Sequence, residues 1–346
     1  MSVGDQGSAV VPQPADVGAP PEASIAQPVR RTRLKRVLTR VPDSAALVVV
    51  LIALIVFFSL KSPYFFNRDN FINILIASTI VGIVSCTTTL LLIAGQFDLS
   101  IGGGTALVTA IFAHSFVAGQ PLFIAILLSL AVGLGIGMTN GFLITVVGVN
   151  ALITTIGMMS ITRAFAFIVT NGSEVSFSGF TTLGLSRPFL NIPWMVWIFA
   201  AIAIVTALTL RYTTYGRKLY AIGSNPAAAR LAGIRTRRVI FFAFVLSGLA
   251  VGISGLVLAS QTGLGSGNAA TGLEFYAITA VILGGASLSG GRGTVLGTVL
   301  GVLIIGVVNN GIVLLNVESF YQDVVRGALL IIAVAIDQVR LRLTAE

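Results

Sequence analysis

Ile93-Ala-Gly-Gln-Phe-Asp-Leu-Ser-Ile-Gly-Gly-Gly-Thr-Ala-Leu107 lies inside a stretch, Asn70 through Thr162, whose 93 residues hold one formal charge, Asp98. A run that long without charge has no water-facing surface. The whole chain agrees: of 346 residues 55% are hydrophobic and 10% charged, with a mean hydropathy of +0.98, whereas soluble domains carry about 25% charged residues. A soluble enzyme is excluded. So is a nucleic-acid binder, because the net charge of +9 comes from basic residues gathered beside apolar segments, as at the cytoplasmic flanks of membrane spans. The 38 glycines suit closely packed transmembrane helices. A single cysteine, Cys86, and a single histidine, His114, leave no disulfide framework and no His-based metal cluster.

At roughly 20 residues per span, 70–162 holds about four helices, near 71–95, 101–118, 121–147 and 151–170. Upstream, residues 1–29 contain no Lys or Arg and five of the eleven prolines, a composition that stays disordered. A basic run from Arg30 to Arg40 then precedes a first span, Ser44 to Leu60. Downstream come a polar loop, Asn171–Asn191, a span at 193–210, and a loop, Arg211–Arg238, with seven basic residues. Placing both basic segments on one side requires an even number of intervening spans, and six fit. Four more follow, near 239–262, 272–289, 293–314 and 320–338. The expected fold is all-α and polytopic, with about ten transmembrane helices and both termini cytoplasmic. Residues 1–42 form a basic tail, 43–338 the membrane domain and 339–346 a short C-terminal tail. The short Gly-rich segment 272–292 also fits a re-entrant element.

The opening stretch recurs 189 residues later as Ile282-Leu-Gly-Gly-Ala-Ser-Leu-Ser-Gly-Gly-Arg-Gly-Thr-Val-Leu296, identical at eight of fifteen positions. Transporters are often built from duplicated halves whose interrupted helices meet near the substrate path, so duplicated halves with broken helices are expected. Low-complexity matching of glycines is the alternative.

There is no G-x-x-x-x-G-K-[ST], no HExxH and no Ser/His/Asp set, so neither a P-loop nor a catalytic constellation is encoded. In the 211–238 loop, Asn225-Pro226-Ala227-Ala228-Ala229-Arg230-Leu231-Ala232-Gly233 spells a short capped helix. Asn225 is the N-cap, Pro226 the first helical residue and Gly233 the stop. Its Ala-rich surface reads either as a docking element or as a loop lying on lipid headgroups. Charges inside the membrane are costly and are functional candidates by default. Asp98 reads equally as a structural or gating residue and as a substrate contact, while Arg163 and Arg326 read as snorkelling or as paired with Glu174 and Asp323. Asn140, Asn309 and Asn310 can hydrogen-bond a polyol or join helices.

Four ordered blocks carry a resemblance. Gly95-Gln-Phe-Asp-Leu-Ser-Ile-Gly102 resembles the G-x-[IF]-D-L-S-V-G signature of ribose-type ABC importer permeases, and Gly157–Arg163 resembles their G-M-x-x-I-x-R stretch. Thr214–Ile234 is similar to their cytoplasmic loop, and Ala280–Gly293 to a fourth block. Phe97 and Ser224 depart from the usual Ile and Gly. The resemblance spans about residues 45–340. It implies a multi-pass bacterial inner-membrane permease that carries a monosaccharide of the ribose, xylose or galactose kind, or else inositol, an autoinducer or another small polar solute. The implied partners are a cytoplasmic ABC ATPase, a periplasmic sugar-binding protein and a second, like permease subunit. The chain itself would hold no metal or cofactor, ATP being bound by the ATPase. Arg217, Tyr220, Gly223, Asn225, Ala228, Ala229 and Gly233 would couple to that ATPase. Asp98, Ser100, Asn140, Arg163, Asn309 and Asn310 would line or gate the pathway. An ion-coupled secondary transporter is the alternative, with Asp98 as its one candidate coupling carboxylate, because Glu274 falls at a span edge.

Overall fold

The computed structural model describes residues 43–318 and ten positions between 321 and 338, each of the ten helical. The expected tails, Arg326 and Asp323 lie outside the described residues, and the tenth span, 320–338, is described only at those ten positions. The helices are α1 (Asp43–Lys61), α2 (Arg68–Ile93), α3 (Ile101–Val117), α4 (Leu122–Phe142, continued by a π turn, Leu143–Val147) and α5 (Ala151–Val169). Then follow α6 (Thr182–Leu185), α7 (Trp194–Tyr212), α8 (Thr214–Ser224), α9 (Pro226–Leu231), α10 (Thr236–Thr262), α11 (Leu273–Leu283) and α12 (Val295–Leu314). A two-residue antiparallel ladder pairs Val175 with Gly265 and Ser176 with Leu264.

Six helices are long and apolar enough to cross a membrane: α2, α4 with its π turn, α5, α7, α10 and α12. The chain is an all-α, multi-pass membrane protein. One expected span is corrected: the segment near 272–289 is helical only over the 11 residues of α11. At 1.5 Å per residue it runs about 16 Å, short of the roughly 30 Å hydrocarbon core. It ends where Gly284 and Gly285 follow, the latter at φ +89°. α3, Ile101–Val117, starts where the span near 101–118 is expected, and residues 94–100 between α2 and α3 are non-helical.

α2 forms the centre, and every residue from Gly82 to Ile93 is buried. α10, α12, α7 and α11 pack against it, while α4, α5 and α7 leave most of their length open. Where lipid replaces water, helices associate through close packing and interhelical hydrogen bonds rather than burial of apolar area. Both devices are present. α4 and α10 meet backbone to backbone through Gly133 and Gly137 on one and Gly248 and Gly252 on the other. A Cβ on Gly133 would stand 2.6 Å from the Gly248 carbonyl oxygen and 2.7 Å from the Gly252 nitrogen. Polar clasps join the rest. The Thr89 and Thr298 hydroxyls lie 2.7 Å apart between α2 and α12, and those of Thr105 and Ser254 3.1 Å apart between α3 and α10.

The duplicated stretch does not fold identically in its two copies. Thr105 is a buried residue in the second turn of α3, whereas its counterpart Thr294 is the N-cap of α12, its side chain accepting from the Gly297 amide. The second break, residues 284–294, is therefore longer than the first.

Candidate functional site

The two breaks meet at the end of the helical body that carries the basic loop. The Gly291 amide donates to the Ile93 carbonyl at 2.9 Å, capping the exit of α2 with a residue of the second break. Gly290 and Gly291 adopt φ of +86° and +74°, the left-handed region that glycine enters without a Cβ clash. Built Cβ atoms there would crowd the Gly223 carbonyl oxygen at 3.0 Å and the Ser224 Cα at 3.0 Å. The second break closes on itself as the Ser287 amide donates to the Arg292 carbonyl and the Gly290 amide to the Ser287 carbonyl.

The basic loop is seated on this junction. α8 is amphipathic by spacing, and Gly216, Leu219 and Ile222 form its buried face. Leu219 and Ile222 join Leu90, Leu91 and Ile93 of α2 and Val239 of α10 in one apolar cluster. Gly223, one residue on, packs against the Ile93 carbonyl and the Gly291 nitrogen so closely that no Cβ would fit. The Tyr220 hydroxyl donates to the Gly293 carbonyl at 2.7 Å, and burial raises the Tyr220 phenol above its ordinary pKa, which keeps it a donor. Tyr220 and Gly223 thus face inward. α9 forms as its sequence requires: the Asn225 side chain accepts from the Ala227 and Ala228 amides at 3.0 Å each, Pro226 opens the helix, and Gly233 follows it at φ +80°. Ala229 is 4% exposed and belongs to the same apolar cluster. Ala228 and Gly233 are exposed, as is Arg217 on α8. The sequence reading passed over Leu231, which is 91% exposed; its signal was a large apolar residue on the side of α9 away from Ala229.

Asp98, Ser100 and Asn140 come together in the interior. Asp98, 2% exposed, accepts from the Ser100 amide at 3.0 Å, the Ser100 hydroxyl at 2.5 Å and the Ser247 hydroxyl at 2.7 Å. The Asn140 amide donates to the Ser100 hydroxyl at 2.9 Å, and its own Oδ1 is buried without a partner among the described residues. The first break is thereby tied to α4 and α10. Ser247 lies eleven residues beyond the start of α10, about 16 Å along the helix axis, so this network sits well inside the body. Ser247 was not identified from sequence, because nothing local links it to Asp98.

The other candidates lie apart. Arg163 donates to the Gly267 carbonyl at 2.9 Å and the Thr271 hydroxyl at 3.1 Å rather than pairing with the exposed Glu174; it fastens the loop that leads into α11. Asn310 and Asn70 exchange amide hydrogen bonds of 2.9 and 3.0 Å between α12 and α2. Asn309 is half-buried. Glu274, expected at a span edge, is at the start of α11 but buried, its Oε2 against Gly102 of α3. The edge of so short a helix lies within the body, not at its surface. Among the described residues no group of three or more His, Cys, Asp or Glu side chains is placed to hold a metal ion.

Comparison with known proteins gives this arrangement a context. Residues 70–334 match the family described as branched-chain amino acid transport system, permease component. The chain is 38% identical over 302 residues to the probable ABC transporter permease protein YphD of Escherichia coli K12, covering 87% of this chain and 91% of that one. It is 36% identical over 296 residues to the ribose import permease protein RbsC of the same strain, covering 84% and 92%. It is 35% identical over 330 residues to the L-arabinose ABC transporter permease protein AraH of Azospirillum brasilense, covering 95% and 96%. No solved structure matches the chain. With buried broken helices, a basic loop seated on them and a family match over most of its length, the chain belongs to the branched-chain amino acid transport system permease family, a membrane-embedded ABC transporter permease rather than an enzyme.

Proposed function

We propose that this chain is the transmembrane permease subunit of a bacterial importer that carries a monosaccharide of the ribose or arabinose kind across the inner membrane. A periplasmic binding protein delivers the sugar, and a separate cytoplasmic ABC ATPase, which binds the ATP, supplies the energy. In this reading α1 to α5 and α7 are the six spans that separate the basic N-terminal tail from the 211–238 loop, and both of these face the cytoplasm. The observation that carries this reading is the α9 turn. Ala229 is its buried residue, while Ala227, Ala228, Arg230 and Leu231 stand out from the described body beside exposed Arg217 and Lys218. A 91% exposed leucine at the basic end is a natural anchor for a partner pocket, since a few well-seated side chains carry most interface energy.

In this reading the network of Asp98, Ser100, Asn140 and Ser247 is the gate, because it ties a non-helical segment to two spans at once. The second permease copy lies against α5. Only Thr154, Thr155, Thr162 and Ala166 of that helix are buried, and its open face offers the small residues Gly157, Ser160 and Ala164 to a shared pathway. Arg163 and Asn310 hold the surrounding frame, and Asn309 lies beside the latter.

Uptake of labelled ribose and arabinose into proteoliposomes, with and without the ATPase and an uncoupler, tests the proposal. Uptake that needs ATP and the ATPase and ignores the uncoupler is expected. Uptake that persists without the ATPase and collapses with the uncoupler would make the chain an ion-coupled carrier instead.

A further inference from the structure

The segment between α11 and α12 contains glycines at 284, 285, 290, 291 and 293, all but Gly284 at positive φ. Each glycine leaves the backbone more freedom than any other residue, so this break has little stiffness of its own. It nevertheless delivers the chain into α12 at the Thr294 N-cap. Among the described residues, the side chain that reaches from the basic loop to the backbone just before that cap is Tyr220, through the Gly293 carbonyl. A phenol on two torsions is a stiff strut, and the same helix rests Gly223 against the exit of α2. α8 therefore touches the exit of one broken helix and the start of the other.

We propose that Tyr220 is a positioning residue for transport. Its hydroxyl makes α8, the exit of α2 and the start of α12 one rigid body, so that displacement of α9 by a docked ATPase reaches the broken helices without slack. This rests on the permease reading above and adds the route by which force enters the membrane domain. Coupling of this kind needs contact between elements that move together, not proximity alone.

The test uses proteoliposomes holding this chain with its ATPase and binding protein, supplied with ATP and labelled ribose, and scores sugar imported per ATP hydrolysed. Tyr220→Phe keeps the ring and removes the donor. The ratio should fall about five- to tenfold, the equilibrium worth of one hydrogen bond. Tyr215→Phe is the control, since it removes the other phenol hydroxyl of α8, which donates to the Val239 carbonyl at 3.1 Å and touches neither broken helix; its ratio should stay within twofold of the parent. A ratio in Tyr220→Phe within twofold of the parent overturns the inference. So does a parallel loss of uptake and hydrolysis in proportion to folded protein, which marks a merely structural residue, and so does an equal fall of the ratio in Tyr215→Phe. Failure of the parent complex to import sugar at the expense of ATP would instead refute the permease reading itself.

Discussion

Replacing Asp98 by alanine removes the acceptor of three hydrogen bonds in the interior of the body. The Ser100 hydroxyl can turn elsewhere, but the Ser100 amide and the Ser247 hydroxyl, both buried, lose their partner. A buried donor left unmade costs about 1–3 kcal/mol, so the two together cost about 2–6 kcal/mol. Asparagine keeps an acceptor for the Ser100 pair and turns its amide toward Ser247, whose hydroxyl can accept. Its cost is about 1 kcal/mol. Asp98→Ala and Asp98→Asn should therefore differ by about 1–5 kcal/mol, or roughly 5- to 5000-fold in the unfolding equilibrium. Reversible denaturant unfolding of the purified chain in detergent measures the difference. An alanine variant within 1 kcal/mol of the parent, or an asparagine variant equal to it, would show that Asp98 does not hold the first break to α10.

The other predictions use contacts elsewhere in the body. Gly137→Ala should destabilise by about 1–3 kcal/mol, because its Cβ would meet Gly248 Cα at 2.9 Å and the Phe244 carbonyl. Gly135→Ala, two residues away with nothing within 4 Å, should be neutral or stabilising by up to about 1 kcal/mol; the same unfolding assay compares them, and equal effects would refute the α4–α10 packing. A double-mutant cycle on Asn70→Ala and Asn310→Ala should return a coupling of about 0.6–2 kcal/mol, and zero would mean that the reciprocal amide pair contributes nothing. Burial also raises the Tyr215 phenol, whose hydroxyl donates to the Val239 carbonyl at 3.1 Å. For Tyr215 and Tyr220 the folded pKa lies above the unfolded value of about 10, so their contribution to stability is complete below that pH and is lost as the pH rises through the folded values. Phenolate absorbance of the parent minus that of the Tyr215→Phe, Tyr220→Phe variant should show both titrating above pH ~10; titration below it would mean that α8 is not seated.

Local chemistry was readable from the sequence where it depends on neighbours in the chain. Asn225, Pro226 and Gly233 specify α9 because capping and φ preference act within a few residues. The glycine clusters marked both breaks for the same reason. Contacts across the chain were not readable. Asp98 and Ser247 are separated by 149 positions, and no period or motif joins them. Of the residues expected to couple to the ATPase, Tyr220 and Gly223 share the side of α8 that carries Leu219 and Ile222 and turn inward, whereas Arg217 and Ala228 are exposed; sequence spacing does not say what the inward pair touches. The four-residue spacing of Gly133 and Gly137, and of Gly248 and Gly252, signals a close helix crossing that overall glycine content does not locate. The repeat misled in one respect: identical Thr105 and Thr294 take different roles, because α3 starts at residue 101 whereas α12 starts at residue 295.

The claim on which the account turns is that α9 is where the ATPase takes hold. A photo-reactive side chain placed at Ala228 or Leu231, both exposed, and at buried Leu219 as a control, tests it in native membranes. The account predicts adducts with a nucleotide-binding chain from positions 228 and 231, none from 219, and a yield that changes with ATP. Adducts with lipid alone, or with no ATP-binding partner, would contradict it.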